Sequence, residues 1–254
     1  MQKEDDPDVR WVAVLAGCDL ARAEGAVREA AGERSLFWHL DREHRSEGRA
    51  SYIEIDAPLE LHALVRLLRP AHVVEVGVSS GVSSAYLLNA LAKNGRGTLH
   101  SVDLPARPRR RTGRPATASW TLPPGRGPGW AVPRRLWRLW DLRTGDKADV
   151  VPQLARELRR IGLVVYDVPH DDADLRSEFA ALDRRLGTGA VAIVDHGPSG
   201  DTCPALQDWA RRRGSGAVRR RGLGLAGMRC RVPALLLRPG RRLRRLSQRP
   251  TAGS

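Results

Sequence analysis

Apolar positions along the chain follow two rhythms. Short, nearly unbroken apolar runs end in an acid or a Gly/Ser turn: Val73, Val74 and Val76 before Gly77, Thr98 to Val102 before Asp103, Leu163 to Tyr166 before Asp167, and Ala190 to Val194 before Asp195. Runs of this length, bounded by turn residues, read as strands buried on both faces. Asp141 to Thr144 is a shorter and more polar strand. Between the runs, apolar residues recur every three or four positions over Val82 to Lys93, Lys147 to Arg160 and Asp172 to Leu186, where Leu175, Phe179, Leu182 and Leu186 share one face. Strands alternating with helices predict a doubly wound α/β sheet, mostly parallel, with helices on both faces. Asp56 and Pro58 open a further helix that Pro70 stops, and Asn94-Gly95 suits a left-handed cap. A Gly187-Thr188-Gly189 turn precedes the last of the four apolar runs.

The flanks are less regular. Asp5 to Gly48 is helical and charged, with a loose stripe of Val9, Val12, Leu15, Leu20 and Val27. Ser35 to Leu40 adds an aromatic cluster that packs on the main domain or on a partner subunit, and His39 and His44 read as packing or surface histidines. Leu104 to Arg138 is dense in Pro, Gly, Arg and Trp, too polar and broken for core. A stretch of that length after a strand reads as a partly ordered lid over the carboxyl end of the sheet. Cys203 to Arg213 is helical, and weak strand signals between Gly216 and Leu237 suit a hairpin on the sheet edge. Pro152 kinks or restarts the helix that follows Asp146.

Charge changes the picture at one end only. All 29 acidic residues lie at or before Asp208, where 29 basic residues balance them, and the 14 arginines of residues 209–254 carry the whole net charge of +14. That tail reads first as a solvated end and second as a surface for nucleic acid or anionic lipid. Cys18, Cys203 and Cys230 are odd in number and far apart, which fits free thiols in the cytoplasm. No apolar run reaches the roughly 20 residues needed to span a bilayer, and the acidic N-terminus is unlike a secretory signal.

Chemistry gathers where strands meet turns. Glu75, Gly77 and Gly81 are spaced E-x-G-x-x-x-G, with Ser79 where dinucleotide binders carry their middle glycine. The turn and the helix start after it offer backbone N–H groups and close approach to a ligand. Asp103, 28 residues beyond Glu75, stands near the distance at which a strand-end acid meets ribose hydroxyls, with a plain cap as the competing reading. Asp167 and Asp195 end two strands; if these are neighbours, their carboxylates converge. With His170 or His196 nearby, two outcomes stay open: a Mg²⁺ or Mn²⁺ site of Asp167, Asp195 and His196, or a metal-free histidine base. Strand-end caps and surface histidines are the third.

The stretches VVEVGVSSGVSSAYLLNAL, HSVDLP, LRTGDKADVVPQL and LVVYDVPHDDADLRSEFAALDRRLGTGAVAIVDHG stand in an order and spacing that resembles class I S-adenosylmethionine-dependent methyltransferases, and more narrowly the small-molecule O-methyltransferase-like group called methyltransferase family 24. The resemblance covers about Ala57 to Gly197. It implies a Rossmann-like, seven-stranded sheet with an antiparallel last strand and S-adenosylmethionine across the carboxyl ends. It also implies that Glu75, Gly77, Ser79 and Gly81 approach the methionine end, that Asp103 holds the ribose, that Gly145 and Asp146 lie beside the adenine, and that Asp167 borders the site. Asp167, His170 and His196 are then the catalytic candidates. The Asp167-Val168-Pro169-His170 and Asp195-His196 sequences depart from the family pattern.

The reading is therefore an enzyme that methylates a hydroxyl of a small molecule, a sugar or a phenolic metabolite. Alternatives are an RNA methyltransferase using the arginine tail and a catalytically silent binding protein. Residues 1–50 form a helical extension, 51–237 the methyltransferase domain with 104–138 as an insertion, and 238–254 a basic tail; a homo-oligomer is compatible with the aromatic cluster.

Overall fold

The computed structural model describes residues 9–47, 58–104, 122–168, 172–195, 204–214, 217–220 and 223–227. Five strands pair in parallel: β1 (His72–Val76), β2 (Thr98–Asp103), β3 (Trp140–Thr144), β4 (Ile161–Tyr166) and β5 (Leu186–Asp195). β6 (Ala217–Arg220) and β7 (Leu223–Gly227) add the expected edge hairpin, giving one seven-stranded sheet in the order β3-β2-β1-β4-β5-β7-β6. β7 runs antiparallel to both its neighbours, β5 and β6. β1 is the point where the strand order reverses, and in open α/β sheets ligands bind outside the carboxyl ends at such a switch.

Strand alternation sorts the core into two layers. Val73, Leu99, Leu163, Val165, Val191 and Ile193 face α4 (Pro58–Leu68) and α5 (Val82–Asn94). Val74, Val76, Val102, Val164, Tyr166, Ala192 and Val194 face α6 (Lys147–Glu157), α7 (Asp172–Asp183) and α8 (Pro204–Arg212). The N-terminal helices α1 (Val9–Ala16), α2 (Leu20–Ala31) and α3 (Arg34–Ser46) continue the first layer: Trp11, Val12, Leu15, Val27, Leu36 and Leu40 share its core. Gly95, at φ +65°, caps α5 in the left-handed conformation, as Asn94-Gly95 predicts.

Four element boundaries differ from the sequence reading. Leu20 leaves the apolar stripe and is 43% exposed, because it opens α2 just after the Asp19 cap and the helix buries Ala23, Ala26, Val27 and Ala30 instead. α6 runs through Pro152 and stops at Glu157. α7 ends at Asp183, so Leu186 belongs to β5, where it pairs with Ile161. The ladder then passes to Leu163–Val191, and the glycines expected as a turn are a bulge within the strand, with Gly189 at φ +80°. No helix among the described residues is long and apolar enough to cross a membrane.

Candidate active site at the carboxyl ends of the strands

Past the end of β1 the chain turns sharply. Gly77 and Gly81 take φ +97° and +91°, conformations open to glycine and costly for other residues. They make room for protein rather than for a gap. A Cβ on Gly77 would stand 1.9 Å from the Asp167 carbonyl oxygen, and one on Gly81 would meet Val132 at 2.5 Å and Gly129 at 2.9 Å. Ser79 also adopts the left-handed region, φ +48°, which accounts for glycine at this place in other nucleotide loops. Bonds on both sides of Ser79 hold it there.

The first of those bonds comes from Asp103. Its Oδ2 accepts from the amides of Val78 (3.0 Å) and Ser79 (2.8 Å), and Oδ1 from Leu104 N at 2.6 Å. The carboxylate at the tip of β2 is thus laid against the glycine loop. Three of the carboxylate's roughly four lone-pair sites are thus taken, and the one left for another donor is on Oδ1. Gly145 N donates to the Asp103 carbonyl at 2.8 Å, and the Asp146 carboxylate caps α6 by accepting from Ala148 N at 3.0 Å.

Glu75 lies behind the loop, not in the crevice. It is wholly buried, and its carboxyl meets three serine hydroxyls: Oε1 accepts from Ser83, and Oε2 from Ser84 and Ser101, at 2.6–2.7 Å. Ser83 and Ser84 open α5, and Ser101 stands opposite Glu75 in the β1–β2 register. Trp140 Nε1 donates to Ser101 Oγ at 2.8 Å, extending the chain of bonds to β3. Burial raises the Glu75 pKa from 4.5 to about 7; the three hydroxyls oppose the shift and the Asp103 charge adds to it.

The other side of the loop is held by two segments: the insertion, which the sequence places over this end of the sheet, and α3, which it does not. Gly129 N donates to Ser79 O (2.8 Å) and Ala131 N to Ser80 O (3.0 Å), so residues 129–131 of the insertion lie directly on the loop. Residues 105–121 of that insertion fall outside the described residues. From α3, buried His44 donates from Nδ1 to the Leu40 carbonyl (2.8 Å), and its Nε2 is hydrogen-bonded with the Ser80 hydroxyl at 3.0 Å. His44 therefore packs, as read, but packs on the loop itself. Its ring centroid is 5.1 Å from that of Trp130, over which Arg126 stacks. The signal available for this contact was the aromatic-histidine cluster of α3, which gave no address.

Asp167 and Asp195 end on neighbouring strands. Tyr166 pairs with Val194, so the two acids stand side by side at the β4 and β5 termini, both half-buried. Among the described residues, no group of three His, Cys, Asp or Glu side chains is placed to hold a metal ion. His170 and His196, the other catalytic and metal candidates, lie outside the described residues, as do Pro169, Cys203 and Cys230.

A family model described as a methyltransferase domain, methyltransferase family 24, matches residues 74–196, which span the strands that carry the glycine loop, Asp103, Asp167 and Asp195. No curated protein matches the chain. Three solved structures are similar to the chain at low identity. The O-methyltransferase TomG from Streptomyces achromogenes, involved in tomaymycin synthesis and in complex with SAM, is 19% identical with a TM-score of 0.47, over 76% of this chain and 88% of that one. An O-methyltransferase from Bacillus cereus in complex with SAH is 15% identical with a TM-score of 0.48, over 76% and 90%. A methyltransferase from Geobacter sulfurreducens is 17% identical with a TM-score of 0.48, over 76% and 87%. Residues 74–196, just under half of the chain, with their glycine loop at the switch point of the sheet, match the model of a methyltransferase domain.

Proposed function

We propose that the chain methylates a hydroxyl oxygen of a small molecule, a sugar or a phenolic metabolite. The observation that carries the reading is the joining of the matched family segment to a loop at the β1 switch point, with a strand-end acid on either side of it, Asp103 and Asp167. The donor set suits a sulfonium nucleoside: a carboxylate for ribose hydroxyls at Asp103, the Val78 and Ser79 amides already given to that carboxylate, and acids near a positive sulfur. Glu75, Gly77, Ser79 and Gly81 shape the floor beneath the methionine end; Gly145 and Asp146 border the adenine. When bound, S-adenosylmethionine supplies an electrophilic methyl carbon. The chain's own task is to hold the acceptor oxygen in line and take its proton, through Asp167, His170 or His196.

A metal-assisted version has one observation in its favour, the register that sets Asp167 beside Asp195. Mg²⁺ or Mn²⁺ held there with His196 would lower the pKa of the acceptor hydroxyl. We keep residues 1–50 as a helical extension, 51–237 as the domain and 238–254 as a basic tail, and place the protein in the cytoplasm on the odd number and wide spacing of its cysteines. The test is calorimetric titration with S-adenosylmethionine, then transfer of labelled methyl to sugar and phenolic acceptors with Mg²⁺ or with excess chelator. Binding and transfer are expected. Absence of binding removes the enzyme reading, full turnover in chelator removes the metal, and methylation confined to RNA with steep salt dependence replaces the acceptor class.

A further inference from the structure

A cavity of about 570 Å³ lies between the outer side of α3 and the 3-10 helix Arg134–Leu139, away from the sheet. Trp38, His39, Asp41, Arg42, Arg45 and Arg135 line it. Its charge is lopsided. Three guanidinium groups face one carboxylate, and that carboxylate, buried Asp41, already accepts from Arg45 Nε at 2.8 Å. The lining itself carries two more positive charges than negative ones. Of these, Arg42 also meets Glu43, which is not part of the lining, at 3.5 Å, while Arg135 has no ion pair among the described residues.

The wall beside them is aromatic. Trp38 is 57% exposed, the most exposed large apolar side chain among the described residues, and Phe37 braces it edge-on at 5.4 Å. An indole surface held open next to guanidinium groups resembles the lining of small-ligand sites, in which apolar rings carry area and a few polar groups fix orientation; cavities of a few hundred Å³ suit such ligands. His39 fixes the floor: its Nε2 donates to the Ala131 carbonyl at 3.1 Å, leaving Nδ1 to accept from Arg42 at 3.4 Å. The cavity is therefore anchored to the same residue, Ala131, that bonds the glycine loop through its amide.

We propose that this cavity binds a small planar molecule bearing a carboxylate or a phosphate, with its ring against Trp38 and its anionic group between Arg42 and Arg135. Planar forks of N–H donors favour bidentate oxyanions, and guanidinium groups also stack on rings. The site does not depend on methyl transfer.

The full chain is titrated calorimetrically with benzoate, phenyl phosphate, inorganic phosphate and benzyl alcohol. Benzoate or phenyl phosphate is expected to bind, and whichever binds more tightly identifies the anionic group. Inorganic phosphate and benzyl alcohol, each lacking one half of the recognition, are expected to bind at least about tenfold more weakly. Arg42→Ala, Arg135→Ala and Trp38→Ala each weaken the ring anion by about tenfold, and Trp38→Phe retains it. All three positions are on the surface, so melting temperature and S-adenosylmethionine affinity stay at wild-type values. Binding that ignores these substitutions, inorganic phosphate as tight as phenyl phosphate, or no heat from either ring anion at millimolar concentration overturns the proposal. So does a single-stranded oligonucleotide that binds through the same arginines while the ring anions do not.

Discussion

Glu75 and His62 are both wholly buried, both titratable, and both in the layer built by α4 and α5. Their surroundings are opposite. Glu75 receives three hydroxyl donors from two elements, and one of those hydroxyls is itself held by Trp140. Both ring nitrogens of His62 are buried with no hydrogen-bond partner. The charges around His62 satisfy one another: Arg66 bonds Glu29 at 2.7 Å, Lys93 bonds Glu33 at 2.6 Å, and Asn89 also donates to Glu33. Burial pulls the His62 pKa from 6.5 to about 4, against the opposing pull of Glu29 and Glu33. Burial alone thus does not distinguish a group built into the site from one carried along on an apolar helix face. Convergent donors do, and they occur directly beneath the glycine loop.

Four measurements bear on that contrast, the largest effect first. Glu75→Ala leaves a cavity and three hydroxyls without their acceptor, and should destabilise the fold by about 3–5 kcal/mol in denaturant melts. A loss under about 1 kcal/mol would mean the serines have other partners. Next comes pH. The raised Glu75 pKa gives stability that is full below about 4.5 and lost as pH rises toward about 7, an effect of about 3 kcal/mol. The lowered His62 pKa acts in the other direction. The unfolded ring binds its proton first, so stability is lost as pH falls from about 6.5 toward about 4, by a similar amount of about 3 kcal/mol. Between pH 4.5 and 6.5 the two slopes oppose. Relative to wild type, Glu75→Gln should make stability rise more steeply with pH across that window, and His62→Leu should make it fall.

The third is His62→Leu at pH 7, which removes two unsatisfied nitrogens at little change of volume and should stabilise by about 1–2 kcal/mol. Destabilisation would show that the ring has a partner after all. The smallest is Trp140→Phe. It deletes one donor to Ser101 and should cost about 1 kcal/mol, while also lifting the Glu75 pKa slightly, since the hydroxyl is then less committed. Infrared titration of the carboxyl band reads that shift directly.

Local rules reach most of the sheet. Runs such as Val73–Val76 and Leu163–Tyr166 admit no partner but a buried neighbour on each side, and Pro70 and Gly95 mark where helices stop; both features are contained in a few adjacent residues. β5 shows where such rules fail. Gly187-Thr188-Gly189 has turn composition, but Leu186 before it gains a ladder partner in Ile161, and the strand absorbs the glycines as a bulge. The site divides in the same way. Glu75 was conspicuous as an acid at the end of an apolar run, and Ser83 and Ser84 lie in the same stretch. Ser101 becomes its partner only through the β1–β2 register. The contacts of Gly129, Ala131 and His44 with the loop join positions far apart in the chain, and no periodicity encodes them.

The turn after β1 has one more property. Val78 and Ser79 give their amides to Asp103, Ser79 and Ser80 give their carbonyls to residues 129 and 131, and the Ser80 hydroxyl goes to His44. If the proposed nucleoside binds at this turn, it meets a loop already held by these bonds rather than a segment that must be ordered on contact, so little conformational entropy opposes its capture. Substitutions in the loop would then register chiefly in how long the nucleoside stays, not in how fast it arrives.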